Sequence, residues 1–235
     1  MRMPALTLLV SGITFPLALT SDVAPPLTLQ QVLKQMDEQD HVRSALLARY
    51  TCSRRYVLDN YRFHTTAELS VRMTYGYPGH KEFKVVGERG PSIVRQRVLQ
   101  RMLEAEEEAS RDDVREHTRI IPLNYEFQLV GVEVQQGRPA YVLEIRPKAR
   151  NKFSMRGKIW VDGEDFAIVR VEASPARNPS AFIRNTRVVQ QYAKFGRLWL
   201  PLFNHSETDS LVFGRTEVTI DSSDYEITQN NSGAN

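Results

Sequence analysis

The chain has 235 residues, 41% of them hydrophobic and 25% charged, a composition that suits one domain with a substantial core. Its 31 basic and 28 acidic residues leave a formal charge of +3, and no basic block is long enough to follow a phosphate backbone, which excludes nucleic acid as the expected partner. The single cysteine, Cys52, excludes an internal disulfide, so stability has to come from packing.

Met1-Arg2-Met3 is a short basic segment, and the uncharged run from Ala5 to Thr20 follows it. That run is shorter than the ~20 residues a membrane-spanning helix needs, and Pro16 lies inside it. Together they predict an export signal over residues 1–21, with a folded domain over 22–227 and a polar, disordered tail over 228–235.

Thr28 is placed to cap a helix that carries Leu29, Val32, Leu33 and Met36 on one face. Residues 50–61 read as the first long strand. In the next, Leu69, Val71, Met73, Tyr75 and Tyr77 alternate with Ser70, Arg72 and Thr74, the period of a half-buried antiparallel strand. Pro78-Gly79 turns the chain into a partner strand over 80–88. Gly90-Pro91 then breaks the sheet, and Ser92 opens the longest helical stretch.

Val94, Val98, Met102, Ala105 and Ala109 form the main apolar line of that helix, with Leu99 and Leu103 beside it. Ser110 and Asp113 have the spacing of a capping box for a second short helix, through His117. The acidic run Glu104, Glu106, Glu107, Glu108, Asp112 and Asp113 reads as a solvated face. Seven further strands follow, over 125–135, 140–147, 157–162, 166–173, 187–195, 198–205 and 215–225. Hairpin loops are expected at Gln136-Gly137-Arg138-Pro139 and at Gly163-Glu164-Asp165, and the change of apolar phase beside Gly131 predicts a bulge. The basic segment Arg146, Lys148, Arg150, Lys152 and Arg156 is either a solubilising loop or a surface for anionic lipid.

Catalytic signatures do not emerge: the sequence has no HExxH, GxSxG, P-loop or dinucleotide glycine motif. Its five histidines lack ligand spacing, so no metal, no cofactor and no enzymatic activity are expected. The strands instead offer Leu69, Val71, Met73, Phe127, Leu129, Tyr141, Leu143, Ile145, Ile159 and Val161, and the inserted helix offers Val94, Val98, Leu99 and Met102. These are the candidate lining of an apolar ligand cavity. The same side chains can also close-pack as an ordinary core.

Gly157, Ile159-Trp160-Val161-Asp162 and Val169-Arg170-Val171-Glu172 resemble the outer-membrane lipoprotein-sorting protein family, which includes the LolA-type periplasmic carriers. Tyr192-Ala193-Lys194-Phe195-Gly196, Trp199-Leu200-Pro201 and Gly214-Arg215-Thr216-Glu217-Val218 look like that family's closing strands. The resemblance implies an α+β fold: an unclosed antiparallel β-barrel of about ten strands, with an N-terminal helix and an inserted helical lid over the concave face. It also implies a non-catalytic periplasmic carrier of lipoprotein acyl chains or other lipids, with peripheral membrane contact. The alternative is an envelope sensor or interaction module that binds a membrane-associated protein. In the carriers an arginine just before a proline at the end of an early strand helps latch the lid; here Tyr77 precedes Pro78, and Arg72 lies earlier in the strand.

Overall fold

A computed structural model describes residues 27–178 and 182–230; the predicted leader lies outside them. Helix α1 (Leu29–Leu46) starts where the cap was expected. The Thr28 hydroxyl accepts the Gln31 N–H at 3.4 Å, and the Gln31 side chain accepts the Thr28 N–H at 2.8 Å, so two donors at the helix start are satisfied reciprocally. Residues 42–46 close this helix, which passes straight into β1 (Leu47–Asn60).

The chain continues through β2 (Thr65–Gly76), β3 (His80–Arg89), α2 (Ser92–Val94), a π-helical segment (Arg95–Leu99), α3 (Gln100–Ser110) and α4 (Asp112–Thr118). The remaining strands are β4 (Tyr125–Gln135), β5 (Arg138–Pro147), β6 (Met155–Asp162), β7 (Ile168–Pro175), β8 (Ile183–Phe195), β9 (Leu198–Ser210) and β10 (Gly214–Gln229). They form one antiparallel ten-stranded sheet in the order β3-β2-β1-β10-β9-β8-β7-β6-β5-β4. β3 and β4 are its unpaired edges, so the barrel stays open. The inserted helices carry the chain from one edge to the other.

β10 runs further than expected. Gln229 pairs with Leu47 and Thr228 with Arg49, so these two residues are strand and not tail, because β1 offers them ladder partners. Residues 231–235 lie outside the described residues. The bulge falls at the expected place: Leu129 pairs with Leu143 and Gly131 with Val142, which leaves Val130 as the extra residue.

Cross-strand register places one row of side chains on a single face through nine strands: Leu69, Tyr56, Ile220, Asn204, Gln190, Val171, Ile159, Leu143 and Leu129. The row is apolar at both ends and amide-bearing in the middle, on β8 and β9. Two helical covers meet the two apolar ends. Val32 of α1 packs with Leu143, Ile145, Ile159 and Val161, whereas Leu99 and Leu103 of the inserted helix pack with Tyr56, Leu58, Leu69 and Val71.

The turns explain two conspicuous positions. Gln136 and Gly137 both have positive φ, 51° and 78°, the requirement of the two-residue hairpin that closes β4 on β5. Arg138, next in sequence, forks onto the Asp162 carboxylate with two contacts of 2.6 Å. Asp162 is 2% exposed and also accepts the backbone N–H groups of Glu164 and Asp165. Burial pushes its carboxyl up, but the Arg138 and backbone hydrogen bonds outweigh that and hold it below the ordinary aspartate range. Asp162→Asn is therefore expected to cost about 2 kcal/mol of stability, read as a lower urea midpoint with an unchanged slope.

Gly157, the first residue of the resemblance motif, has φ 153°. A Cβ there would sit 2.2 Å from the Glu172 carbonyl oxygen and 2.7 Å from the Ala173 Cα, so only glycine lets β7 lie this close. Gly157→Ala is expected to lower stability by about 2 to 3 kcal/mol, measured by the same unfolding experiment.

Candidate functional site

The inserted helix is rolled relative to its sequence pattern. Its N-terminal part is wound as a π-helix, where the Gln100 N–H bonds the Arg95 carbonyl, and the extra residue in that turn changes which line meets the sheet. The line facing the sheet is Leu99, Leu103, Glu106 and Ser110, while Ala105 is exposed. Val94, Val98 and Met102 lie beside that line, and Val98 is 39% exposed. The capping box at Ser110 does not form either: its hydroxyl bonds back to the Glu107 carbonyl at 2.7 Å, and α4 has no side-chain cap.

Glu106 departs furthest from the expected solvated face. Arg54 of β1 donates to its carboxylate at 2.8 Å, Lys81 of β3 at 3.2 Å and the Tyr56 hydroxyl at 3.1 Å. Arg54 is 5% exposed, and its Nε has no partner, so Glu106 is the main compensation for a buried cation. Burial acts to raise the Glu106 pKa; the Lys81 and Arg54 charges prevail and hold it below the usual glutamate value. This cluster pins the inserted helix to the sheet. Lys152 of the basic loop adds an exposed contact to Glu108 at 2.7 Å.

Beside the pinned helix the sheet and helix separate, leaving a hollow of about 730 Å³. Its roof is Ile93, Val94, Val98 and Met102; its floor is Leu58, Val218 and Ile183, with the hydroxyls of Ser206, Thr208 and Thr216 among them. Phe63, Phe182, Val212 and Phe213 line its mouth and are 47–59% exposed. Among the described residues Arg97 is the one charged residue in the lining, and no lining residue is an acid, a histidine or a cysteine. Its size falls within the ~300–1,000 Å³ of small-molecule sites.

Three of the fourteen residues expected to line a cavity, Val94, Val98 and Met102, border this hollow. The register keeps the strand members on one face but does not bring them under one cover. Leu69, Val71 and Leu99 are packed at 0–2% exposure beneath the inserted helix. Leu143, Ile145, Ile159 and Val161, at 0% exposure, lie beneath α1, with Phe127, Leu129 and Tyr141 against them. Met73 packs with Tyr50, Cys52, Leu198 and Leu200. Pattern reading missed the hollow's far wall, because Phe63 and Phe213 sit in turns and the β9 contribution is hydroxyl-bearing. The apolar triplet Leu211-Val212-Phe213 at a turn was the available signal.

A second cavity of about 420 Å³ lies between α1, α4 and the β6–β7 connection. Asp37, Asp40, Arg43 and Arg119 line it together with Leu33, Met36, Phe166 and Trp199, and Arg119 bonds Asp40 at 2.8 Å, so its walls mix charged and apolar groups. Buried Cys52 has its thiol pushed up by desolvation, the wrong direction for a nucleophile. Among the described residues no group of three or more His, Cys, Asp or Glu side chains could hold a metal ion.

No protein-family model matches the sequence, and neither does any curated protein. Solved structures do. A domain from Vibrio parahaemolyticus described as an outer membrane lipoprotein-sorting protein is 12% identical over 88% of this chain and 94% of that one, with a TM-score of 0.44. A LolA superfamily protein from Nitrosomonas europaea is 13% identical over 86% and 94%, with a TM-score of 0.43. A DUF1329 family protein from Desulfovibrio piger is 12% identical over 88% and 94%, also with a TM-score of 0.43. Each of the three is similar to this chain over most of both lengths.

Proposed function

We propose that this chain is an exported, non-catalytic carrier whose hollow between the inserted helix and β8–β10 takes the acyl chain of a lipid or lipoprotein. The observation that carries the reading is the hollow itself: apolar on roof and mouth, large, and open to solvent through exposed aromatic side chains. Exposed apolar groups of this kind mark binding sites when they adjoin a cavity. Each methylene that leaves water there contributes about 0.8 kcal/mol, so chain length alone can supply the affinity. The lining is mostly apolar, with hydroxyls as its main polar groups, which supports binding of an apolar chain. The basic and apolar N-terminal sequence supports export, and the periplasm is the compartment proposed for the carrier.

Purification without detergent, followed by native mass spectrometry and organic extraction, tests the reading. Co-purified acyl species, or 1:1 uptake of added hexadecanoate, is the expected result. A protein that stays empty and takes up no acyl chain contradicts it.

A further inference from the structure

In an antiparallel sheet alternate connections share a rim. The β1–β2, β5–β6 and β9–β10 turns, at residues 61–64, 148–154 and 211–213, open on the same rim, as does the chain leaving β7 through Arg177. Their charges are one-sided. Arg62, Lys148, Arg150, Lys152 and Arg177 are all exposed, and no aspartate or glutamate occurs in these turns, although Glu108 of α3 pairs Lys152 from outside them. On the opposite rim the β6–β7 connection carries Glu164 and Asp165, both paired with Arg138, and the β8–β9 turn carries Arg197.

The same rim holds large apolar groups in solvent. Tyr61, Phe63, Leu211, Val212 and Phe213 are 47–59% exposed at the tips of two hairpins. Those tips are built as a unit: the Arg62 guanidinium donates to the carbonyls of Leu211 and Val212 at 3.3 and 3.1 Å, and the Phe63 and Phe213 rings meet edge-on at 6.5 Å. Arg150 and Arg177 make no ion pair among the described residues, so their charge is available to a partner.

We propose that this rim docks on an anionic lipid bilayer, with the two aromatic hairpin tips entering the interfacial layer and Arg150, Arg177 and their basic neighbours facing the headgroups. Aromatic side chains beside basic ones suit the water–lipid boundary, and each lysine or arginine near an anionic surface adds to the attraction. Continuity with the cavity supports this occupant. Phe63, Val212 and Phe213 belong both to the rim and to the mouth of the hollow, so a docked molecule presents its opening to the bilayer and an acyl chain can pass without crossing water. That last consequence rests on the proposed function; docking itself does not.

The test is flotation of the full chain with vesicles of phosphatidylcholine alone or with 30% phosphatidylglycerol. Partition should favour the anionic vesicles and weaken with salt. Arg150→Glu/Arg177→Glu should reduce it on the order of 25-fold or more, and Tyr61→Ser/Leu211→Ser should also reduce it. None of these four positions lines the hollow, so hexadecanoate uptake without vesicles should be unchanged, and its absence in the wild type would count against the carrier reading alone. Equal partition on neutral vesicles, or partition insensitive to both double variants, overturns the docking proposal. So does a protein that stays in the soluble fraction with every vesicle, which would assign the rim to a protein partner.

Discussion

Replacing Glu106 by alanine should destabilise the protein by about 3 kcal/mol, measured as a fall in the urea unfolding midpoint. The reason lies with Arg54. Its guanidinium is almost wholly desolvated, its Nε is already unpartnered, and Glu106 supplies its 2.8 Å contact. Removing the carboxylate leaves a buried cation without its main partner and also frees Lys81 and the Tyr56 hydroxyl. An apolar replacement of both ends, Arg54→Met with Glu106→Leu, should recover much of the loss, since the cost comes from an uncompensated charge and not from absence of the pair. Recovery would separate this cause from a packing defect.

The same cluster sets a pH dependence. The folded-state pKa of Glu106 lies below its ordinary value of 4.5, so its contribution is complete above that value and is lost as pH falls through the folded one. The stability gap between the wild type and Glu106→Gln should accordingly narrow as pH falls below 4.5. A constant gap down to pH 2 would remove Glu106 as the titrating group.

The second large effect concerns binding. Val98 is part of the hollow's roof and is 39% exposed, so tryptophan at this position can extend into the cavity without displacing the core. If the indole excludes three or four methylenes of a bound chain, affinity should fall about 100-fold, with stability changed by less than about 1 kcal/mol. Leu143→Ala provides the opposite outcome. It opens a cavity beneath α1 at a side chain with 0% exposure, so stability should fall by about 2 to 5 kcal/mol while affinity stays the same.

Local chemistry made much of the sheet legible. The Thr28 cap, the alternation in β2 and the bulge beside Gly131 each follow from a few neighbouring residues and are present, while the loop expected over 136–139 narrows to Gln136-Gly137 because Arg138 and Pro139 pair in the ladder. The inserted helix was harder, because Leu99 and Leu103, at the side of the expected apolar line, are the residues buried against the sheet, while Val94 and Met102 pack at its margin and Val98 and Ala105 are exposed. A π-helical segment shifts the phase, and the partners of Glu106 lie 52 and 25 residues away in sequence. No helical period can report them.

The functional region shows the same division. Alternating strands identified apolar side chains but not which helix would cover them, and the polar β8–β9 residues that divide the face in two, Gln190 and Asn204, become meaningful only through register. The far wall of the hollow comes from turn aromatics and hydroxyl-bearing strand residues, types that carry no apolar pattern.

The most direct test of the site is a methyl NMR titration of the purified protein with hexadecanoate. Shifts should concentrate at Ile93, Val94, Val98, Met102 and Val218, which border the hollow, and should be absent at Leu143, Ile145 and Ile159 beneath α1. Shifts centred on the second group, or none at saturating hexadecanoate, would contradict placement of the ligand under the inserted helix.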